Sequence, residues 1–172
     1  MQMEIPQETV IYALAEAQRR KIPVILNPSP VPQVINPAIF MADILIPNQD
    51  ETSWLAGEPI EDIHSAKIVG SALLAKGIQT AVITLGKHGA VAITSENVYQ
   101  TAGYPTKVVD TTGAGDAFCG AFAVEYATSR DLKHALCFAS AAGALACSQF
   151  GAQPSMPHRK DILALLQRHP EI

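Results

Sequence analysis

The run Asp110-Thr111-Thr112-Gly113-Ala114-Gly115-Asp116-Ala117-Phe118 restricts the fold more than any other stretch of this 172-residue chain. It follows the run Thr106-Lys107-Val108-Val109 and precedes a long series of small residues. β-Branched residues favour a strand and small residues favour a helix, so the pattern predicts strand, glycine turn, helix. A glycine-alanine-glycine turn opening a helix leaves several backbone N–H groups unpaired and pointing the same way. With the positive end of the helix dipole they make an anion site. Asp116, in the first helical turn, sets a carboxylate beside that site. Moving a phosphoryl group onto a hydroxyl requires both parts, donors for the developing charge and a base for the proton. Glycine-rich turns of this kind also occur in α/β proteins with other tasks, and an aspartate there can simply complement the dipole.

The rest of the chain alternates helical and strand patterns without a linker or repeat. Pro6 stands as the first residue of a helix carrying Val10, Ile11, Leu14 and Ala17 and closed at Lys21. Residues 23–26 and 42–46 read as short buried strands, and 51–56 as a short helix. A longer helix is predicted over 61–76, ending at Gly77, followed by a strand over 80–85. Residues 90–94 pair with 98–101 across Ser95-Glu96-Asn97, and three helices follow over 115–128, 132–148 and 159–168. Strands separated by helices imply an α/β fold, a mostly parallel sheet with helices on both faces. Ligands bind such sheets outside the carboxyl ends of the strands, where Asn48, Gly86 and Asp110 are placed by this pattern.

Composition narrows the function classes. A net charge of −4 argues against a nucleic-acid partner. Apolar residues make up 48% and charged residues 16%, which fits either an alanine-rich chain or one keeping apolar faces for a missing half. Cys119, Cys137 and Cys147 show no C-x-x-C spacing and read as reduced core residues. No apolar run reaches about 18 residues and no leader opens the chain, which predicts a cytoplasmic protein with no membrane partner. The sole G-x-G, Gly113 to Gly115, lacks the G-x-G-x-x-G of a dinucleotide site.

Asn48 and Glu51 stand one helical turn apart, so both can face one pocket, where a carboxylate suits water-mediated Mg²⁺. The competing reading is a helix N-cap. Lys87 is not part of a P-loop, because no G-x-x-x-x-G-K-[ST] run surrounds it, and Lys87 and His88 also suit a plain hairpin turn.

Four ordered blocks carry a resemblance to the ribokinase (phosphofructokinase-B) family of sugar kinases. Residues 110–116 resemble its D-T-x-G-A-G-D signature, and Asn48-Gln49-Asp50-Glu51 its N-x-x-E segment. Ala81 to Gly89 is similar to its nucleotide-side strand and loop, and Gly151-Ala152-Gln153-Pro154-Ser155-Met156-Pro157 to the closing segment of ribokinases. The resemblance runs over nearly the whole chain and aligns Met1 with the interior of a family member. It therefore implies the C-terminal, ATP-binding half, residues 1–172, of a ribokinase-like domain that lacks the N-terminal half and the lid.

The same resemblance implies ATP-dependent phosphorylation of a small sugar, ribose foremost, with Mg²⁺ and K⁺ as cofactors and a homodimeric parent enzyme. It makes Asp116 the base and Gly113, Ala114 and Gly115 the anion hole. It places ATP along Asn48, Thr84, Leu85, Gly86, Lys87, His88 and Gly89, with Ser140 standing where Asn or His is frequent. Glu51 falls in the Mg²⁺ network, and Glu4 and Asp116 beside the sugar. Asp110, Thr112, Ala146, Gln149, Gly151 and Ser155 match the K⁺ site. A fructokinase-like specificity, or a non-catalytic half that complements a separate chain, are the alternatives. The isolated half is expected to be inactive.

Overall fold

The computed structural model describes residues 1–170 and 172. Its contacts group into two compact units, residues 1–85 with 91–98, and residues 86–90 with 99–172.

The first unit opens with α1, Gln7–Arg19. Val10 and Leu14, one turn apart, form its buried face. Pro6 is the residue before the helix rather than its first residue, and Lys21 follows the helix with φ of 56°. β1 (Ile25–Leu26) and β2 (Ile44–Leu45) are shorter than the apolar runs around them. The reason is local. The N–H of Val24 donates to the Asp43 carboxylate at 2.7 Å, so a side chain takes the place of a strand partner there. The other Asp43 oxygen accepts from the Gln79 amide at 2.9 Å, and its carbonyl takes the N–H groups of Gln79 and Thr80. One residue thereby ties together the entries to β1, β2 and β3 (Thr80–Thr84).

β1, β2 and β3 pair in parallel, and β4 (Ala90–Ile93) lies next to β3. The five residues joining β3 to β4 are too few for a parallel crossover, so the sheet is mixed, with β1, β2 and β3 its parallel part. β5 (Val98–Thr101) follows a turn closed by the N–H of Thr94 donating to the Asn97 carbonyl at 2.9 Å. α2 (Gln49–Ala56) and α3 (Ile63–Leu74) pack on β3 around a core that includes Leu26, Leu45, Val69, Leu73 and Ile83.

The second unit is built on α4 (Ala114–Ser129), α5 (Leu132–Ala146) and α6 (Arg159–Arg168). Ala135, Ala139, Ala142 and Ala146 are buried along α5, and small side chains there let α4 approach closely. Residues 106–109 are not a strand. Val108 and Val109 are exposed, and the N–H of Val109 donates to the carbonyl of Cys147, just past α5, at 2.8 Å. β-Branched composition was present without a strand to pair with. The cysteines are half-buried rather than core residues, and none forms a disulfide among the described residues. No helix among the described residues is long and apolar enough to cross a membrane.

Glu125 of α4 is 4% exposed and bridges the three helices. It accepts from Arg159 of α6 at 2.6 Å and lies 3.2 Å from Nε2 of His134 on α5. The Arg159 hydrogen bond is the main cause holding the Glu125 carboxyl below the ordinary glutamate value, against the opposing effect of burial. Arg159→Ala leaves that buried charge with a single imidazole partner. The expected cost at pH 7 is about 2 kcal/mol, the scale of a hydrogen bond to a charged group. A carboxyl with a depressed folded-state pKa contributes stability above its unfolded value and loses it as pH falls through the folded value. Thermal melts should therefore show the gap between wild type and Arg159→Ala closing below about pH 4.5, the unfolded glutamate value.

Candidate functional site

In the first unit the structure brings Asn48 and Thr84 together. They form a parallel backbone bridge, and the N–H of Thr84 donates to the Pro47 carbonyl at 3.1 Å. Leu85 is buried behind Thr84. Asn48 and Glu51 form a capping box: Asn48 Oδ1 accepts from the Glu51 N–H at 2.9 Å, and Glu51 Oε2 accepts from the Asn48 N–H at 2.8 Å. The pair is thus first of all the start of α2, the helix N-cap that its spacing also allowed. The box still leaves the Asn48 amide nitrogen and Glu51 Oε1 without a protein hydrogen bond among the described residues. One open carboxylate oxygen fits a water-mediated Mg²⁺, which keeps most of its hydration shell. Among the described residues no group of three His, Cys, Asp or Glu side chains stands ready to grip a metal directly.

Glu4 is exposed, and its carboxylate meets the Gln2 amide at 3.3 Å. The segment is anchored rather than frayed, since Met3 is buried and its N–H donates to the Ser29 carbonyl at 2.9 Å.

In the second unit, Gly86, Lys87 and His88 form a 3-10 turn with both basic side chains exposed. Gly89 closes it at φ of 92°, and a Cβ there would collide with the Thr101 carbonyl oxygen. The turn is therefore pressed on the backbone of residues 101–103, with a carbonyl where any other residue would need space.

The glycine turn departs from three of the other helix starts. α2, α3 and α5 begin with side-chain caps from Asn48, Asp62 and Asp131. α4 begins at Gly113 with none, as α1 and α6 also do. Gly113 has φ of 77°, and its missing Cβ would lie 3.2 Å from both Ala152 Cα and Met156 Cε. The N–H of Ala114 donates to the Thr111 carbonyl at 3.2 Å. The N–H groups of Gly115 and Asp116 have no partner among the described residues, and nothing lies within 4 Å of the space a Gly115 Cβ would fill. Asp116 is exposed in the first turn of α4, beside those donors.

Behind the turn, Asp110 Oδ1 accepts from the N–H of Thr112 at 2.9 Å and Oδ2 from that of Gly151 at 2.9 Å. These bonds, Thr112 first, hold the Asp110 carboxyl below the usual aspartate range. Ser155 is fully buried and its hydroxyl donates to the Ala152 carbonyl at 2.7 Å. The Ala146 carbonyl accepts from the Gln149 N–H at 3.2 Å. Asp110, Thr112 and Gly151 are thus in contact, and the set offers oxygen only, the donor chemistry of a hard cation. Ser140 Oγ is buried and makes no hydrogen bond among the described residues. Burial, then the Asp110 charge, push the Cys147 thiol up, which leaves it a weak nucleophile. The roles of Ala152 and Met156 as the floor under Gly113, and of Glu125 and Asp43, gave no signal in the sequence, because each depends on a partner 19 or more residues away.

Two substitutions separate shape from binding. Gly113→Ala should cost about 1–2 kcal/mol, since a side chain resists the left-handed conformation. Gly115→Ala should cost no stability and gain up to about 1 kcal/mol, because the site is helical and open. Its methyl would tilt toward the helix N-terminus, in front of the unpaired donors. Thermal melts and phosphate titrations of the two variants should therefore rank them in opposite orders.

A model of the pfkB family carbohydrate kinases matches residues 1–159. The ribokinase of Staphylococcus aureus (strain COL) is 33% identical over 162 residues, covering 94% of this chain and 53% of that protein. A deoxyribokinase of Salmonella typhimurium (strain LT2) is 31% identical over 158 residues, 91% of this chain and 52% of that one. The solved structure of Arabidopsis thaliana ribokinase complexed with ribose and ATP superimposes with a TM-score of 0.91 at 34% identity, over 96% of this chain and 54% of its own. The chain belongs to the pfkB family of carbohydrate kinases and has a ribokinase-like fold. It spans about half the length of the curated relatives it matches.

Proposed function

We propose that this member of the pfkB family serves ATP-dependent phosphoryl transfer to a sugar hydroxyl, with ribose as acceptor and ribose 5-phosphate as product. The observation that carries this reading is the start of α4, where the unpaired N–H groups of Gly115 and Asp116 stand beside the Asp116 carboxylate. Similarity to a ribokinase solved with ribose and ATP supports the choice of substrates.

Asp116 takes the proton of the acceptor hydroxyl as the new oxygen–phosphorus bond forms. The bond between the γ-phosphorus and the bridging oxygen breaks, and ADP leaves with its electron pair. In such a loose transition state charge stabilisation and positioning do most of the work. The α4 donors meet the charge on the transferred group. In the first unit, Asn48, Thr84 and Leu85 are nucleotide-side residues, and Glu51 would hold Mg²⁺ by way of water. In the second, Gly86, Lys87, His88 and Gly89 form a nucleotide-side turn. Mg²⁺ supplies neutralisation of phosphate charge when bound. Asp110, Thr112, Ala146, Gln149, Gly151 and Ser155 would hold K⁺. Glu4 is a sugar-side residue.

A second reading rests on the span of about half a relative's length: the chain is a nucleotide-binding half that acts with a separate complementing chain. The two readings separate by assay. Calorimetry should detect Mg²⁺–ATP binding in the millimolar range by residues 1–172. No ribose phosphorylation is expected from these residues alone, because positioning of the acceptor supplies much of the acceleration. Turnover of ribose by residues 1–172 would reject the half-enzyme reading, and absence of ATP binding by the folded chain would reject both.

In an assembly that does turn over ribose, Asp116→Asn should lower kcat by about 10²–10⁴-fold, the range for a general base. kcat/KM should fall with it and ATP affinity should stay, as for a group acting only in the transition state. A variant with weakened ATP binding and normal turnover would move Asp116 out of the base role. Running ribose and deoxyribose in parallel tests the specificity.

A further inference from the structure

We infer that Asn27 is a positioning residue for Asn48: its side-chain amide replaces a sheet bond that Pro28 cannot make, and so fixes the backbone that carries Asn48. The purpose of that contact rests on the nucleotide-binding reading, while its geometry does not.

The ladder between β1 and β2 shows where the bond is missing. Ile25 pairs with Ile44 and Leu26 with Leu45, and the N–H groups of Ile44 and Ile46 donate to the carbonyls of Val24 and Leu26 at 3.1 and 2.8 Å. In a parallel ladder the next bond runs from the N–H of residue 28 to the carbonyl of residue 46. Residue 28 is proline and has no N–H to give. The backbone N–H of Asn27 is already spent on the Met1 carbonyl at 2.9 Å. Ile46 is fully buried, so its carbonyl has no water to turn to, and leaving it unpaired would be costly. The Asn27 side chain meets this need, with Nδ2 donating to the Ile46 carbonyl at 2.7 Å.

That bond lies two residues before Asn48. The next carbonyl, of Pro47, accepts from the N–H of Thr84 at 3.1 Å, so both carbonyls leading into Asn48 are held by neighbouring segments of the sheet. Asn48 in turn starts α2 by exchanging hydrogen bonds with Glu51. Asn27 therefore acts on the Asn48–Glu51 pair through one carbonyl, without needing to touch the nucleotide.

The test is amide hydrogen exchange on the 172-residue chain, read at Asn48, Glu51 and Thr84, with calorimetric titrations of Mg²⁺–ATP alongside. Asn27→Ala removes the donor. It should raise exchange at those amides about tenfold and weaken Mg²⁺–ATP binding about three- to tenfold, the scale of one neutral hydrogen bond. The amides of Val69 and Leu73 in α3 are the internal control and should not change. Pro28→Ala restores a backbone N–H where the ladder lacks one. Combined with Asn27→Ala it should recover most of the protection and of the affinity, which a simple loss of packing would not allow. Exchange unaltered at Asn48, Glu51 and Thr84 in Asn27→Ala would overturn the inference, as would a rise that includes Val69 and Leu73. No recovery in the double variant, while Pro28→Ala alone stays folded and protected, would overturn the replacement of a ladder bond. Unchanged affinity in Asn27→Ala, where the wild type binds, would overturn the positioning role. If the wild type binds no Mg²⁺–ATP while the three amides and their rescue behave as expected, the contact stands and the nucleotide reading fails.

Discussion

The absence of a side chain at Gly113 is the constraint on which the candidate site depends. A backbone turned to φ of 77° strains any side chain, and a Cβ there would also press on Ala152 and Met156 at 3.2 Å. Because the helix after it begins without a side-chain cap, the second and third N–H groups of α4 keep their hydrogen-bonding capacity. An unpaired N–H is costly when buried and inexpensive when it faces water or an anion. Here the cost stays low because Gly115 opens onto empty space.

The first unit resolves the same problem in the opposite way. Two of its three helix starts use their own side chains: Asn48 with Glu51, and Asp62 with Ser65, each close a reciprocal capping box, while α1 starts without one. Asp43 completes the strand entries with both carboxylate oxygens and its carbonyl. Carboxylates and amides in this unit are first of all structural. Any part that Asn48 and Glu51 take in binding ATP or Mg²⁺ must use the atoms that capping leaves open. Such double use is economical in a short chain, and it couples ligand affinity to the integrity of α2.

In the second unit, two acidic residues do different work through different exposure. Glu125 is buried between an arginine and a histidine and fastens three helices, while Asp116, nine residues earlier on the same helix, is exposed. Their spacing on α4 leaves one carboxylate consumed by ion pairing and the other open to solvent.

The sequence by itself determined the helices, because periodic apolar positions and cap residues are local: α6 matches its predicted bounds, and α2, α3, α4 and α5 shift by a few residues. It also determined the glycine turn and the place of Asp116, since a turn that demands glycine announces itself in composition. The four-block resemblance to a sugar-kinase family was legible for the same reason, as it rests on short contiguous motifs, and the family is borne out. Only the tertiary structure decided that residues 106–109 are not a strand, because that depends on whether a neighbouring strand exists to accept their hydrogen bonds. It decided that the sheet is mixed, a matter of connection length and pairing rather than of propensity. It also decided that Ala114 spends its N–H on Thr111, and that Asp110 reaches Gly151. Those last facts join residues distant in sequence or settle which of two acceptors a donor chooses, and neither leaves a trace in the order of the amino acids.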